Sequence, residues 1–304
     1  MDRFIQRITR RAVGNAWRRG WRPLLRRALR MAFVLSAGVR PLEAQSDVAP
    51  ERAEFSAWLA TSPVSPLAAM ALHPIGAELR IGPADADVPL EGVPEHRLRQ
   101  RGAAITLESG GRSRAMRHGL PVRVGRYTLT TSGPAGRAVL TVFGAGHNGK
   151  PPSYYAIEPA LTFLGPLTPP TQPGTVRVLG ADGVEVEAAE AGSVLVRIGG
   201  ERVRLRVLRL PTAGGEESEL EIFFRDGTNG RGTYPAGRFV ALVPAGSGRY
   251  RLDFNRARNP FCAYSSAYPC PAPWRGNAFA AAVAAGERYQ GGGLAAPAPA
   301  AEVP

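Results

Sequence analysis

The sequence predicts an all-β protein, an antiparallel sandwich or barrel-like domain with a short N-terminal helix and irregular Pro-rich segments. Apolar and polar residues alternate with a period of two from Ala103 onward, which is typical of half-buried antiparallel strands. The 36 Gly and 28 Pro residues favour frequent turns and short strands over long helices. The hydrophobic fraction of 44% is ordinary for a globular protein and argues against general disorder.

The positive charge is concentrated at the N-terminus. Residues 1–44 contain eleven Arg against Asp2 and Glu43, which gives +9 of the total +13 and leaves +4 for residues 45–304. The arginines of that remainder are scattered through predicted strands and form no single basic run. We therefore expect no nucleic-acid binding by the folded domain.

Residues 1–44 are predicted to be a signal or targeting peptide. A basic stretch is followed by an apolar stretch, residues 31–39, and by Ala44 before a cleavage point. We expect a periplasmic, cell-envelope or secreted protein, or a cytoplasmic one if the segment is instead a basic arm or a surface helix. No apolar run reaches the roughly eighteen residues that a transmembrane span needs.

Residues 45–100 are predicted to form a short helix and a Pro-rich lead-in. Apolar residues at i, i+3 and i+4, counted from Phe55, give one apolar face to a helix over residues 50–61. Prolines then end the helix. The rest of the lead-in is predicted to be irregular, apart from one strand at residues 78–81.

Residues 101–290 are predicted to form one antiparallel β domain. Its clearest feature is a hairpin that pairs two Val-rich strands across the turn at residues 180–183. The other predicted strands are residues 104–107, 120–129, 138–143, 194–198, 203–207, 220–224, 237–243 and 249–254. The Ala-rich residues 278–283 are predicted to be a strand or a helix, with the strand favoured. The Gly, Ala and Pro composition of residues 291–304 predicts a disordered tail.

Alternation in two of these strands predicts cross-strand ion pairs. Arg202, Arg204 and Arg206 lie on the face opposite the apolar residues of their strand. Glu219 and Glu221 do the same in the next strand. We expect the two sets to lie opposite each other, at about 0.2–1 kcal/mol for each pair.

The first of two dense polar motifs covers residues 225–234, Arg-Asp-Gly-Thr-Asn-Gly-Arg-Gly-Thr-Tyr. It lacks the Gly-Lys-Ser/Thr ending and the following helix of a phosphate-binding P-loop. One interpretation is a hairpin loop in which Asp226 and Thr228 accept backbone hydrogen bonds. The other interpretation is a pocket, lined by Asp226, Thr233, Tyr234 and Arg238.

The second motif covers residues 252–260, Leu-Asp-Phe-Asn-Arg-Ala-Arg-Asn-Pro. Strand alternation places Asp253 and Asn255 on one face and draws Arg256 toward the core. A buried guanidinium needs a carboxylate partner, and the candidates are Asp226 and Glu287. The motif is either a structural salt bridge or a site in which Arg256 holds a ligand carboxylate or phosphate.

Cys262 and Cys270 are the only cysteines, and they follow the second motif directly. In an exported protein they predict a disulfide worth about 2–3 kcal/mol. Reduced structural thiols and a metal or catalytic role are the alternatives. The four histidines are scattered, and none stands at metal-ligand spacing, so we predict no metal and no cofactor.

The two motifs together resemble a bacterial and archaeal family known as domain of unknown function 1684. Its pattern is Asp-x-Thr-x-Gly-x-x-Thr-Tyr, Gly-Arg, Leu-Asp-Phe-Asn-Arg-Ala-Tyr-Asn-Pro, two cysteines, an Asn and Ala-Gly-Glu-Lys. The matching positions are Asp226, Thr228, Gly230, Thr233, Tyr234, Gly237, Arg238, Asp253, Phe254, Asn255, Arg256, Asn259, Pro260, Cys262, Cys270, Pro271, Asn277, Gly286 and Glu287.

The resemblance is specific over residues 222–289 and departs from the family pattern at three positions. Gly232 replaces a usual Glu, Arg258 a usual Tyr and Arg288 a usual Lys. Loss of that Glu removes one acid–base or metal-binding group. The resemblance implies that both motifs belong to one module, and it brings no known activity.

The leading hypothesis for function is a small-ligand or partner-binding module. Arg238, Asn255 and Arg256 would orient an anionic or polar ligand. The sequence does not predict an oligomeric state. The full candidate cluster is Asp226, Thr228, Thr233, Tyr234, Arg238, Asp253, Asn255, Arg256, Asn259 and Glu287.

Two other hypotheses remain open, and the sequence does not decide whether the protein is an enzyme. One is a hydrolase-type enzyme in which Asp226 or Asp253 is the base and Tyr234 the donor. The other is a structural cell-envelope protein in which both motifs brace the fold. Convergence of the polar side chains around a solvent-reachable cavity favours binding or catalysis, whereas mutual saturation of their hydrogen bonds favours bracing.

Overall fold

A computed structural model describes residues 47–147, 149–211, 218–274 and 276–289. The predicted signal peptide, residues 1–44, and the predicted tail, residues 291–304, lie outside the described residues. Within the described ranges the chain is mostly β-strand with one short α-helix, so the predicted all-β class is confirmed. No helix in these ranges has the length and apolar character to span a membrane.

The secondary structure follows the chain from a helix through two groups of strands. Helix α1 covers Val48–Thr61. The first strands are β1 (Ala69–Pro74), β2 (Glu78–Gly82), β3 (Val88–Pro89), β4 (His96–Arg101), β5 (Ala104–Ser109), β6 (Arg112–Met116), β7 (Val122–Val124), β8 (Tyr127–Ser132) and β9 (Val139–Phe143). The later strands are β10 (Thr162–Pro166), β11 (Thr175–Leu179), β12 (Glu185–Ile198), β13 (Glu201–Pro211), β14 (Ser218–Phe224), β15 (Arg238–Gly246) and β16 (Arg249–Asp253). Single 3-10 turns lie at Pro66–Ala68, Pro159–Leu161, Phe254–Arg256 and Phe261–Ala263.

The strands form three open sheets in the described residues. The five-stranded sheet has the order β3-β2-β4-β5-β6, and the four-stranded sheet has the order β1-β9-β8-β7. The seven-stranded sheet has the order β10-β16-β15-β14-β13-β12-β11. The two smaller sheets pack face to face on a shared core that includes Ile81, Leu98, Leu129 and Leu140, so the architecture is sandwich-like.

The seven-stranded sheet curls around its own core. The inward residues of β12 to β16 bury a cluster of Val, Leu, Ile and Phe side chains. Phe254, Val283 and Ala285 cover the open end of that cluster. Thr168, which follows β10, meets Ser193 of β12 through two backbone hydrogen bonds of 2.9 and 2.8 Å. β10 is the first strand in the sheet order and β12 is the last but one, so the curl brings the two ends of the sheet together.

The Pro-rich lead-in contains more strand than its sequence predicts. The strand predicted at residues 78–81 is present as β2, but β1, β3 and β4 lie there as well. β3 is only two residues long, and β4 carries a single Leu among polar residues, so neither shows apolar alternation. β1 pairs with β9, about seventy positions further along the chain, and a short window of sequence does not reveal such a non-local pairing.

Two other strand predictions are wrong in detail. The strand predicted at residues 120–129 is two strands, β7 and β8, because Gly125 turns the chain with a φ of 57°. Residues 278–283 form no regular strand, although Ala278 makes a single bridge to Arg225. Their backbone groups are used instead by the polar residues of the first motif.

The predicted pairing of Arg202, Arg204 and Arg206 with Glu219 and Glu221 is also wrong. The ladder of β13 and β14 begins only at Leu208, which lies opposite Glu221. Arg206 pairs instead with Glu190 of β12, at 2.9 Å between Nη2 and Oε2. The two strands diverge before Leu208 because the side chain of Asn277 lies between their backbones.

Candidate functional site

The first motif centres on a buried ion pair between Asp226 and Arg238. Arg238 Nη2 lies 2.8 Å from Asp226 Oδ2, and the side chains of both residues are fully buried. Asp226 Oδ1 accepts hydrogen bonds from the backbone N–H of Thr228 at 2.8 Å and of Val283 at 3.1 Å. The Thr228 hydroxyl donates to the same oxygen at 2.6 Å. Both carboxylate oxygens are thus engaged inside the protein.

Arg238 joins this loop to the C-terminal segment. Its Nη2 donates to Val283 O at 2.9 Å, and its Nη1 donates to Ala285 O. Its guanidinium carbon lies 5.2 Å from the ring centre of Phe224, a cation–π distance. Burial lowers the pKa of Arg238, and the charge of Asp226 opposes that shift. These contacts fix the segment from Val283 to Ala285 in its irregular conformation.

The other polar groups of the first motif also form hydrogen bonds inside the protein. The hydroxyl oxygens of Thr228 and Thr233 lie 2.9 Å apart, and Asn229 Oδ1 accepts from the backbone N–H of Asp226 at 2.6 Å. Tyr234 is buried, with its hydroxyl 3.3 Å from Cys270 Sγ. Burial raises the pKa of Tyr234 to about 12. Asp226 accepts backbone hydrogen bonds as the hairpin-loop interpretation expects, whereas the Thr228 hydroxyl donates to the Asp226 carboxylate instead.

The structure shows why position 232 is a glycine. Its φ is 137°, a conformation that side-chain-bearing residues rarely adopt. A Cβ built at Gly232 would collide with the hydroxyl of Tyr155. The family pattern usually has Glu at position 232. Here the space that a side chain at this position would need is occupied by the Tyr155 hydroxyl.

The second motif ends β16 in a 3-10 turn, Phe254–Arg256, and does not continue as a strand. The strand alternation assumed for Asp253 and Asn255 is therefore wrong. Asp253 Oδ1 caps the turn by accepting from Asn255 N at 3.0 Å, and it also accepts from Thr162 Oγ1 at 3.0 Å. Asn255 exchanges two hydrogen bonds of 2.8 and 2.9 Å with the backbone of Glu158. This turn thereby anchors the chain that leads into β10.

Arg256 and Arg258 leave this turn on the side that faces helix α1. Arg256 Nε lies 3.2 Å from Asp253 Oδ2, and its Nη1 forms an ion pair with Glu51 of the helix. Arg258 Nη2 binds the other oxygen of Glu51 at 2.8 Å. Neither Asp226 nor Glu287, the partners predicted for Arg256, forms this pair. The single carboxylate of Glu51 therefore bridges both arginines.

A small cleft lies between helix α1 and the second motif. Its interior volume is about 10 Å³, which is about the room that one water molecule needs. Arg52, next to Glu51 on the helix, donates from Nη1 to Tyr155 O and from Nη2 to Asn255 O, both at 2.8 Å. The lining residues are Val48, Glu51, Arg52, Phe55, Tyr154, Asn255, Arg256, Ala257 and Arg258.

A buried acid, Glu287, lies behind this cleft. Its Oε2 accepts from Tyr264 Oη at 2.5 Å and from the backbone N–H of Asn259 at 2.7 Å. Burial raises the pKa of Glu287 to about 7, against the opposing effects of Tyr264, Asn259 and Arg258. Burial and the charge of Glu287 raise the pKa of Tyr154 to about 12. Within the described residues, Glu287 Oε1 and Arg256 Nη2 have no hydrogen-bond partner.

Cys262 and Cys270 are joined by a disulfide, with 5.5 Å between their Cα atoms. The disulfide agrees with the first of the three alternatives for this pair. The loop that it closes carries Tyr264, the partner of Glu287. Tyr268 of the same loop packs with Phe143 of the four-stranded sheet, so the loop also joins two parts of the protein.

The ten candidate residues fall into two networks, which meet where Arg238 Nη1 donates to Glu287 O at 3.4 Å. Asp226, Thr228, Thr233, Tyr234 and Arg238 form the first, and Asp253, Asn255 and Arg256 form the second, while Asn259 and Glu287 lie beside the second. Four further residues of the cleft and of the surroundings of the buried acid are not among those predicted from the sequence: Glu51, Arg52, Tyr154 and Tyr264. In the part of the chain described, no three His, Cys, Asp or Glu side chains are grouped as metal ligands would be.

Comparisons with known proteins place these motifs in one family. The profile described as "Protein of unknown function (DUF1684)" matches residues 151–288, which include both motifs and the disulfide. The uncharacterised protein from gene locus rrnAC0354 of Haloarcula marismortui is 33% identical over 45% of this chain and 75% of its own, with a TM-score of 0.39. No curated protein matches the chain. Residues 151–288 of the chain therefore belong to the DUF1684 family.

Proposed function

We propose that the protein is a binding module for a small anionic ligand, held between Arg256 and Arg258 in the cleft under helix α1. The observation that supports this proposal most directly is the Glu51 carboxylate, which contacts both guanidinium groups. Two arginines on one carboxylate are a geometry that also suits a ligand carboxylate or phosphate. Glu51 is, in this view, the occupant of the site when no ligand is bound.

The electrostatics of the cleft support the same conclusion. Burial lowers the pKa of Arg256, and the charge of Asp47 opposes that shift. A buried guanidinium keeps its charge, so it needs a nearby anion to offset the cost of its desolvation. Arg256 Nη2 is buried and has no hydrogen-bond partner in the described chain. A ligand oxygen that reaches this atom would satisfy it, which Glu51 does not.

The other two hypotheses find less support in the geometry. A hydrolase that uses Asp226 or Asp253 as base would need a free carboxylate oxygen, but both residues engage their oxygens in internal hydrogen bonds. Tyr234 is buried away from the cleft. The geometry of the first motif therefore supports a bracing role for it. In this role it stabilises one end of the seven-stranded sheet, and the second motif lies at the same end.

The extracytoplasmic location remains part of the proposal. The Cys262–Cys270 disulfide supports it, since such bonds persist mainly in oxidising compartments. The basic and apolar composition of residues 1–44 supports it as well.

Calorimetric titration with inorganic phosphate and with citrate tests the binding proposal. We compare the wild type with Glu51→Gln, and with Glu54→Gln as the matched control, because Glu54 is exposed on the same helix. Glu51→Gln should bind about tenfold more tightly than the control, since the ligand no longer competes with a carboxylate. Adding Arg258→Ala to Glu51→Gln should abolish the gain. Equal affinity of the two glutamine variants, or no binding by any of them, would overturn the proposal.

A further inference from the structure

A second surface, separate from the cleft, combines exposed leucines with arginines. Leu164 of β10 is 48% exposed and Leu195 of β12 is 47% exposed. Leu164 lies opposite Arg251 of β16, and Leu195 lies opposite Arg204 of β13. Both leucines point outward, because Phe163 beside Leu164, and Val194 and Val196 beside Leu195, pack into the core of the curled sheet.

Three more arginines extend this surface. Arg197 of β12 lies directly opposite Arg202 of β13, and Arg249 of β16 lies opposite Pro166 of β10. The curl of the seven-stranded sheet brings β10 beside β12, so the outward faces of these four strands adjoin. We call this surface the leucine–arginine face; it consists of Leu164, Leu195, Arg197, Arg202, Arg204, Arg249 and Arg251.

The charge on this face is not neutralised within the described residues. None of its five arginines takes part in an ion pair there. Arg197 and Arg202, two like charges directly opposite in a ladder, destabilise the sheet. On the five-stranded sheet, by contrast, Arg97 and Arg99 pair with glutamates of neighbouring strands or residues. The opposed arginines lower the stability of the free protein, and an anion from outside the protein would offset this repulsion.

We propose that the leucine–arginine face binds the surface of an anionic lipid bilayer. Arginines close to such a surface gain electrostatic attraction to lipid phosphates. Exposed leucines between them gain free energy when they enter the apolar boundary of the bilayer. Soluble polyanions offer the arginines the same attraction but give Leu164 and Leu195 no apolar environment, so the leucines favour a membrane.

Probes at two leucines test whether this face meets the membrane. Leu195→Cys and Leu120→Cys, each labelled with a polarity-sensitive fluorophore, are mixed as full-length proteins with vesicles. The vesicles are phosphatidylcholine alone or phosphatidylcholine with phosphatidylglycerol. Leu120 is the matched control because it is 49% exposed on a different part of the protein. The probe at position 195 should shift to the blue with anionic vesicles only, and the probe at position 120 should not shift.

Charge variants test the arginines independently. Arg197→Ser, Arg202→Ser and Arg204→Ser are combined in one protein, and Arg112→Ser, Arg114→Ser and Arg123→Ser in the control, because the latter three are exposed on the two smaller sheets. Both proteins lose three charges. Removal of the face arginines should weaken binding to anionic vesicles about fivefold for each arginine, whereas the control should bind as the wild type does.

Three outcomes would overturn the membrane proposal. The first is a wild-type protein that does not bind anionic vesicles. The second is an equal loss of binding in the two charge variants, which would assign binding to overall charge, including that of residues 1–44. The third is binding to heparin that depends on the arginines while the probe at Leu195 stays in water with vesicles, which would assign the face to a soluble polyanion.

Discussion

Asp226 and Arg238 form an ion pair in which both side chains are fully buried. The pair crosses from the loop after β14 to the start of β15, and Arg238 continues to the carbonyl groups of Val283 and Ala285. One charged residue thus joins three segments at the end of the seven-stranded sheet. The stability of this end of the protein should depend on the pair remaining complete.

Loss of one partner from this pair should therefore be severe. We expect Asp226→Ala to lower the free energy of unfolding by about 3–5 kcal/mol, because an uncompensated buried guanidinium remains. Urea unfolding followed by circular dichroism measures the change. Arg231→Ala, in an exposed part of the same loop, is the control and should cost less than about 0.5 kcal/mol. Similar losses in the two variants would contradict a special role for the pair.

Glu287 should make stability depend on pH in a particular direction. Its folded-state pKa of about 7 lies above the ordinary value of 4.5, so the folded protein binds the proton more tightly than the unfolded chain. The stabilisation from this proton is complete below about pH 4.5 and is lost as pH rises to about 7, a change of about 3 kcal/mol. Unfolding of wild type and Glu287→Gln across this range should show a steeper decline in the wild type. Parallel curves would contradict the shifted pKa.

Asn277 should be as costly to remove as a core residue. Its side chain donates to Arg206 O at 2.9 Å and to Phe223 O at 3.0 Å, and it accepts from Arg206 N at 2.7 Å. Asn277→Ala would leave these backbone groups buried without partners and should cost about 3 kcal/mol. The midpoint of urea unfolding checks this value against Ser218→Ala, an exposed change in β14. In Asn277→Ala, hydrogen exchange of the Arg206 backbone N–H should be faster than in the wild type, because it loses its acceptor. Exchange in exposed turns should not change.

The disulfide should stabilise the protein by a modest amount. Its closed loop is short, with a sequence separation of 8, so removal by Cys262→Ser with Cys270→Ser should cost about 2–3 kcal/mol. The loop also delivers Tyr264 to Glu287, and the double variant should therefore change the pH dependence of unfolding described above. An unfolding midpoint that reducing agent leaves unchanged in the wild type would contradict this prediction.

Local features of the fold were predictable, and non-local ones were not. Alternation and a tight turn within a few residues predict the hairpin across residues 180–183, and the structure confirms it. β4 was missed because its sequence, His-Arg-Leu-Arg-Gln-Arg, has one buried apolar residue and depends on neighbours in the sheet. Residues 278–283 were read as a strand because composition does not show that their backbone is held by the first motif.

The candidate site was predictable only on one side. Arg256 is predictable because it belongs to a dense polar motif that directly follows a predicted strand. This local signal does not depend on the partners of Arg256. Its true partner, Glu51, is an ordinary acidic residue on a surface helix and has no local signal. The sequence shows that Arg258 departs from the family pattern but indicates no partner for it, although a second arginine calls for a further carboxylate.

The contact between Glu51 and Arg258 joins residues that are 207 positions apart in the chain. A polypeptide made from its N-terminus produces helix α1 long before the arginines that receive it. Loop closure over such a distance is slow and entropically unfavourable, so the helix should dock after the C-terminal strands have formed. The newly folded protein would then pass through a stage in which both arginines are open to any anion in its surroundings, and the first occupant of the cleft would be set by the compartment in which folding ends.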